Sequence, residues 1–213
     1  MLFCGIFAPI FNSCISKENT EFEEKGDPIR TMERMIKHME NKYLRPSLDL
    51  VEQVFTEYDC AAEGRMVRSL VEEIRAKQTY IRELELLMVD ETDAVIGYAM
   101  FSRFHLEGKF LEELLILTPV AVKTELQRQH ISKELIEYGF ARARELGCTA
   151  VIVEGNPRNY HARGFVTAAD HGILPGRTVH LPAIECLMVK ELEPGALRRI
   201  HGTVEYSDYE SLT

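Results

Sequence analysis

Residues 112–154 read EELLILTPVAVKTELQRQHISKELIEYGFARARELGCTAVIVE, and this stretch decides the fold. Its first part, Glu112–Val122, is apolar at nearly every position and predicts a strand buried on both faces. A helix is expected from about His130 to Leu146, ended by Gly147. Cys148–Glu154 then predicts another strand, so the stretch indicates a right-handed parallel strand–helix–strand crossover. The apolar face expected for the helix is Ile131, Leu135, Ile136, Gly139, Phe140 and Ala143.

The segments on either side of this unit predict the rest of the sheet. Leu84–Val89 and Ala94–Phe104 are separated by a short turn, which favours an antiparallel pair. Two amphipathic helices come before them, one running to Tyr58 and one after Gly64. Further strands are expected in 183–190 and 202–206. We therefore expect an α/β fold of the α+β sandwich type, with a mixed, mostly antiparallel central sheet and one parallel crossover.

The amino-terminal end reads differently from this body. Met1–Phe11 is apolar but has no preceding Lys or Arg, so a packed or frayed extension is favoured over a targeting segment. We expect an extension and linker over 1–27, an accessory helix over 28–41 that begins at Pro28, and the main domain over 42–213. Translation could instead start at Met32 or Met35.

Composition limits the class of protein. The chain has 213 residues, 25 Lys and Arg against 34 Asp and Glu, and a net charge of −9. This balance argues against a general nucleic-acid surface, and no apolar run reaches the ~20 residues that a membrane span needs. The five Cys have no zinc-ligand spacing and an odd count, so we expect no metal site, no disulfide framework and a cytoplasmic location.

One residue interrupts the central apolar strand. Pro119 lies inside it, and proline cannot donate a hydrogen bond to a neighbouring strand. We therefore expect a bulge there, or the place where pairing with one neighbour stops.

Three stretches together resemble one enzyme family. The run 120–136 resembles the acyl-CoA loop of GNAT N-acetyltransferases, in which a hydrophobic strand and a short turn lead to Q/R-x-x-G-x-G/A at a helix start. Gln127 matches the first position, whereas His130 and Ser132 stand where the two small residues belong, so the loop is degenerate. The stretches 155–165 and 191–197 resemble the YhbS-like branch of that family.

The resemblance implies acetyl-CoA as acyl donor and a set of residues that hold it. The pantetheine arm would pair with the strand like an added strand, and the pyrophosphate would lie on the free N–H groups of the helix start. One of two asparagines would help to hold the arm or orient Tyr160. The implied donor-binding residues are Val120, Ala121, Val122, Gln127, Arg128, Gln129, His130, Ile131, Ser132, Asn156 and Asn159.

The resemblance also implies two catalytic roles. Tyr160 aligns with the tyrosine that protonates the departing CoA thiolate, and a phenol is protonated at neutral pH. A base must accept a proton from the amine, and Glu113 is the expected residue, with Glu112 beside it and Glu83 and Glu85 as alternatives.

These features predict an acetyl-CoA-dependent N-acetyltransferase, monomeric or homodimeric, that acts on a small-molecule or protein amine. We expect no nucleic-acid or membrane partner. The alternative is a non-catalytic GNAT-like binding module that has lost CoA, which the two missing glycines favour.

Overall fold

The computed structural model describes residues 33–212, and a seven-stranded sheet forms its centre. The sheet order is β1-β2-β3-β4-β5-β8-β6, and β7 and β9 form a separate two-stranded sheet. The strands are β1 (Arg34–His38), β2 (Glu85–Asp90), β3 (Val95–Arg103), β4 (Leu114–Val122), β5 (Ala150–Glu154), β6 (Val166–Thr167), β7 (Ile173–Pro175), β8 (Leu187–Glu191) and β9 (Gly202–Val204). The helices are α1 (Leu44–Tyr58), α2 (Ala61–Ala76), α3 (Ile131–Glu145) and α4 (Pro157–His161).

The predicted fold class is confirmed. Every neighbouring pair in the large sheet is antiparallel except β4 and β5, which are parallel and joined through α3. The strand expected near residues 202–206 exists as β9, but it pairs in parallel with β7 in the small sheet.

Helices cover both faces of the large sheet. One core contains the inner faces of α1 and α2, and the other contains the inner face of α3. All six residues predicted for the buried face of α3 are buried. Gly139 allows this helix to lie close to β3, because a Cβ at that position would come within 2.2 Å of the Phe101 ring.

The prediction of an accessory helix over 28–41 is wrong for the residues of this range that the structure describes. Arg34–His38 forms the edge strand β1, antiparallel to β2, and the first part of that prediction lies outside the described residues, as does the extension 1–27. Arg34 pairs with Glu134, and His38 lies 3.0 Å from the Tyr138 hydroxyl, so alternate residues of β1 face α3. The hydrogen bonds that make this segment a strand come from β2, a partner that local periodicity does not reveal.

Within residues 33–212, no helix has the length and apolar character that crossing a membrane requires.

A buried carboxylate ties the helical layer to the sheet. Glu85, at the start of β2, is fully buried and accepts hydrogen bonds from Arg75 of α2, at 2.9 and 2.6 Å, and from the Tyr98 hydroxyl at 2.6 Å. The Tyr80 hydroxyl donates to its second oxygen. Four hydrogen bonds, two of them from its counter-ion Arg75, satisfy this carboxylate, which explains why a charge can be buried here.

Removing the counter-ion should therefore unfold the protein more easily. We expect Arg75→Met to lower the free energy of unfolding by roughly 3–5 kcal/mol, because Glu85 keeps its burial and loses its cation. Arg68→Met is the matched control: Arg68 also lies on α2 but pairs with the more exposed Asp49 and Glu52, and its loss should cost about 1 kcal/mol or less. Urea unfolding measures both, and equal losses would contradict the assignment.

Candidate active site

The two parallel strands separate part of the way along the sheet. β4 and β5 pair only over Leu114–Ile116 and Ala150–Ile152. Beyond that point β4 pairs with β3 alone and β5 pairs with β8 alone. We call the resulting opening between residues 117–122 of β4 and 153–155 the fork.

The predicted irregularity at Pro119 accompanies this separation. Phe101 of β3 is paired with Leu117, and Ala99 is paired with Val120, so Thr118 and Pro119 together oppose one residue of β3. An extra residue on one strand is a β-bulge, which bends the strand that carries it. The bulge thus lies at the fork.

The sequence-predicted pantetheine residues line one side of the fork. Val120, Ala121 and Val122 pair with β3 along one edge of β4, and the opposite edge has no strand partner among the described residues. Backbone groups on such an edge can pair with an extended ligand as they would with another strand.

The loop after β4 leads directly to the start of α3. Arg128 and His130 both have left-handed backbone conformations, with φ of 63° and 66°. The first hydrogen bond of the helix runs from the Glu134 amide to the His130 carbonyl, so the amides of Ile131, Ser132 and Lys133 have no acceptor within the helix. These amides can receive an anion such as a pyrophosphate.

The two residues that depart from the family pattern do not destroy this loop. His130 takes the left-handed conformation that a glycine would adopt freely, and its side chain is exposed. The Ser132 hydroxyl accepts a hydrogen bond of 3.1 Å from Arg163. Gln127 is exposed and donates weakly, at 3.4 Å, to the Val122 carbonyl, and Gln129 is exposed. The backbone shape is therefore retained, at some cost in strain.

Tyr160 lies on the short helix α4, directly after β5. Its ring packs edge-on against Phe165, with centroids 5.4 Å apart, and the Arg163 guanidinium lies 5.8 Å from its centroid. Burial raises the pKa of Tyr160 to about 12, and Arg163 opposes this rise. A Cβ on Gly155 would lie 2.6 Å from the ring, so glycine is required for the ring to reach the end of β5. Tyr160 is therefore a protonated donor at neutral pH.

The two asparagines expected to assist have local roles. The Asn156 side chain accepts a hydrogen bond from the Arg158 amide and caps α4. Asn159 is exposed, and its carbonyl accepts from Arg163. Both lie in the same turn as Tyr160.

The structure does not bring Glu113 to this site. Glu113 comes directly before β4, and its carbonyl accepts a hydrogen bond from the Thr149 amide. Thr149 is five residues before Glu154, so at ~3.3 Å per residue Glu113 lies roughly 16 Å from Glu154 along the strand direction. There it pairs with Arg199 and accepts from the Thr149 hydroxyl. Glu112 pairs with Arg103 at that same end of the sheet, and Glu85 belongs to the buried network of α2. Glu83 is exposed in the turn before β2.

The fork holds a different carboxyl, which the sequence reasoning did not select. Glu154 ends β5 and is only 3% exposed. Its Oε2 accepts one hydrogen bond of 3.0 Å from the Tyr206 hydroxyl. Burial raises the pKa of Glu154 to about 7, and the bond from Tyr206 opposes the rise. The sequence does contain one indication of this residue: Glu154 is a charged residue that follows Ala150 and Ile152 at every second position of β5, on the face that these two apolar residues bury.

Glu154 and Tyr160 approach the fork from opposite faces of the sheet. Ala150, Ile152 and Tyr206 belong to the core under α1 and α2, so Glu154 faces that side. Tyr160 packs against the core under α3. The fork is thus an opening with a proton donor on one face and a carboxyl that titrates near neutrality on the other.

The left-handed conformation of His130 predicts an effect on stability. His130→Gly should raise the free energy of unfolding by about 0.5–1 kcal/mol, because a residue with a Cβ is strained at positive φ. Ser132→Gly is the control, and it should change the free energy of unfolding in the opposite direction. Ser132 is helical, and glycine there should lower the free energy of unfolding by roughly 0.5 kcal/mol. Thermal and urea unfolding measure the stability of both variants. A His130→Gly variant less stable than the wild type would contradict the claim that the backbone at His130 is strained.

Comparisons with known proteins agree with this geometry. The model of the acetyltransferase (GNAT) family matches residues 51–170. The uncharacterized N-acetyltransferase YhbS of Escherichia coli strain K12 is 29% identical over 153 residues, which cover 71% of this chain and 85% of YhbS. A crystal structure of YhbS from E. coli in complex with CoA superposes with a TM-score of 0.70 at 25% identity, covering 87% of this chain and 94% of that one.

A second solved structure supports the fold alone. A GNAT family acetyltransferase from Brucella melitensis, in complex with acetyl-CoA, gives a TM-score of 0.62 at 21% identity and covers 85% of this chain and 99% of that one. Because the family model matches more than half of the chain and the fork, loop and helix start coincide with that match, the protein belongs to the GNAT acetyltransferase family.

Proposed function

We propose that this protein transfers an acetyl group directly from acetyl-CoA to an amine bound at the fork. The observation that carries the proposal is the separation of β4 from β5 immediately before the free amides of α3. The E. coli relative with the same fold is described in complex with CoA. The free edge of β4 supports the binding of an extended arm, and the helix start supports the binding of its phosphates. The two missing glycines do not carry the alternative of a non-catalytic module, because His130 takes the left-handed conformation and Ser132 is accommodated in the first turn of α3.

The donor side of the reaction belongs to Val120, Ala121 and Val122 and to the loop that follows. The first three offer backbone groups to the pantetheine arm, and residues 127–132 surround the phosphates, with Arg128 adding a positive side chain. When acetyl-CoA is bound, it supplies the thioester carbonyl that the amine attacks. Tyr160 donates its proton to the sulfur as the carbon–sulfur bond breaks, so the leaving group departs as a neutral thiol.

The acceptor side requires a base, and we assign this role to Glu154 rather than Glu113. The amine arrives as an ammonium ion and must lose a proton before its nitrogen can attack. Glu154 is ionised above its pKa of about 7, so it can accept that proton at physiological pH. Its burial and its place at the fork support this assignment, whereas Glu113 is neutralised by Arg199 elsewhere.

The cellular setting is part of the proposal. Cys60, Cys148 and Cys186 are free thiols in the described part of the chain, which suits a reducing compartment such as the cytoplasm.

Replacing the phenol tests the proposed acid. Tyr160→Phe keeps the ring on Phe165 and removes the hydroxyl, so we expect turnover of acetyl-CoA to fall by on the order of 100-fold. The affinity for CoA, measured by calorimetry, should stay within a few-fold of the wild type. Tyr138→Phe is the control, since that hydroxyl contacts His38 outside the fork. Unchanged turnover in Tyr160→Phe, measured as release of CoA thiol, would remove Tyr160 from the mechanism.

The pH dependence tests the proposed base. Below pH 7 the Glu154 carboxyl is protonated and cannot accept a proton, so the rate should rise with pH through about 7. Tyr206 and Cys186 are the titratable groups that interact with it, and the pKa of each is itself raised, chiefly by burial. Glu154→Gln should abolish the rising limb and lower the rate at pH 8, whereas Glu113→Gln should leave both unchanged.

The same variant separates catalysis from stability. The folded pKa of Glu154 lies above its ordinary value, so the folded protein loses stability as pH rises from about 4.5 through 7. Glu154→Gln should therefore be more stable than the wild type at pH 8 while being less active. A variant that is less stable at pH 8 would indicate a structural carboxylate instead.

A further inference from the structure

The buried tyrosine that donates to Glu154 comes from outside the large sheet. Tyr206 lies two residues after β9, where the chain leaves the small sheet, and it is almost completely buried. Its hydroxyl donates a hydrogen bond of 3.0 Å to Oε2 of Glu154. This is the single hydrogen bond that the described residues make to the carboxyl group, so Oε1 keeps its full capacity as an acceptor.

Three contacts fix the backbone and the ring of Tyr206. Its amide donates a hydrogen bond of 2.6 Å to the Thr178 hydroxyl. Its carbonyl accepts a hydrogen bond of 2.9 Å from the Tyr209 amide. Its ring packs edge-on against Phe104, directly after β3, with the two ring centroids 6.3 Å apart. The hydroxyl of Tyr206 is therefore held at a defined place beside the Glu154 carboxyl.

Glu205 in turn fixes Thr178. Its carboxylate accepts hydrogen bonds from the amides of Arg177 and Thr178, at 2.9 and 3.0 Å, and from the Thr178 hydroxyl at 2.5 Å. The turn after β7 comes so close to this carboxylate that a Cβ on Gly176 would lie 2.1 Å from its Oε1. A chain of contacts thus runs from Glu205 through Thr178 and Tyr206 to the carboxyl at the fork.

The hydrogen bond from Tyr206 stabilises the charged form of Glu154. Tyr206 and the Cys186 thiol, in the turn before β8, are the titratable groups of residues 33–212 that interact with this carboxyl. Burial raises the pKa of both groups, so both are neutral near pH 7. A hydrogen bond to a carboxylate favours ionisation, and loss of the Tyr206 hydroxyl should therefore raise the pKa of Glu154 further.

We propose that Tyr206 is a positioning residue for the base, and that the small sheet serves to hold it against Glu154. This inference rests on the proposed function. Tyr206 occupies Oε2 and restrains the carboxyl group, which leaves Oε1 as the oxygen that accepts the proton of the amine. The phenol keeps its own proton throughout. The carboxylate gains one proton from the ammonium ion and later returns it to solvent, so the proton balance of the transfer is unchanged.

The test compares Tyr206→Phe with Tyr98→Phe. Each variant keeps a buried ring and removes a hydroxyl that donates to a buried glutamate, but Tyr98 donates to Glu85, in the network that joins α2 to the sheet. The titration of Glu154 is followed by carbon NMR of the side-chain carboxyls, assigned with Glu154→Gln. In Tyr206→Phe we expect the pKa of Glu154 to rise from about 7 by about 1 unit. In Tyr98→Phe we expect no change in this pKa.

The rate of transfer should follow the same titration. It is measured as release of CoA thiol at saturating methylamine, over a range of pH. Because a pKa higher by about 1 unit leaves less of the base ionised, kcat of Tyr206→Phe should fall about 5-fold at pH 7 and stay within about 2-fold of the wild type at pH 9. The affinity for CoA should not change. Tyr98→Phe should lower the melting midpoint and leave the pH profile as it is in the wild type.

A more distant variant tests the role of the small sheet. Thr178→Val removes the hydroxyl that accepts from the Tyr206 amide and donates to Glu205, and it leaves the phenol itself in place. We expect the pKa of Glu154 to rise in this variant too, by less than in Tyr206→Phe. Thr149→Val is the control, because Thr149 is a buried threonine whose hydroxyl contacts Glu113 at the opposite end of β5. Its pH profile should equal that of the wild type.

The outcomes separate this inference from the proposed function. An unchanged titration of Glu154 in Tyr206→Phe overturns the inference while the transfer reaction stands. A titration that moves without any change in the pH profile of the rate shows that Glu154 is not the base, and Tyr206 then has no positioning role. An unchanged titration in Thr178→Val removes the small sheet from the inference. A wild type that does not consume acetyl-CoA in the presence of methylamine overturns the proposed function itself.

Discussion

The separation of β4 from β5 is the constraint on which the site depends. Each strand keeps one neighbour, β3 or β8, so the sheet remains intact while an opening forms at its centre. The bulge at Thr118 and Pro119 bends β4 at this level, and proline cannot donate to a neighbouring strand. The opening exposes backbone groups that elsewhere in the sheet are paired, and it lies directly before the free amides of α3. A linear cosubstrate with a charged end can thus be held by backbone alone.

Two buried glutamates differ in how completely the surrounding residues satisfy their carboxyl groups. Glu85 is saturated by Arg75 and two tyrosine hydroxyls and joins α2 to the sheet. Glu154 is nearly as deeply buried but has one neutral donor among residues 33–212, and its pKa is raised to about 7. A carboxyl without a counter-ion reduces stability, and such a cost is typical of residues held ready for a reaction.

The loop at the start of α3 shows that backbone shape can survive an unfavourable residue. Arg128 and His130 hold left-handed conformations without being glycine. Packing of Ile131 and Leu135 against the sheet fixes the start of the helix, and the exposed His130 side chain has room outside the loop. The sequence departs from the family pattern here, but the free amides at the start of α3 remain available to an anion.

Local pattern determined much of the molecule. The periodicity of α3, the two apolar strands around it and the place of Tyr160 after β5 could all be predicted, because they depend on the spacing of neighbours along the chain. Tertiary structure decided the rest. Residues 34–38 became a strand because β2 supplies their hydrogen bonds, and a helical spacing of methionines does not reveal that partner. Glu113 and Glu154 both adjoin apolar strands, but interstrand register sets one at the far end of the sheet and the other in the fork. Burial then raises the pKa of Glu154, and burial depends on what packs over a residue rather than on its neighbours in sequence.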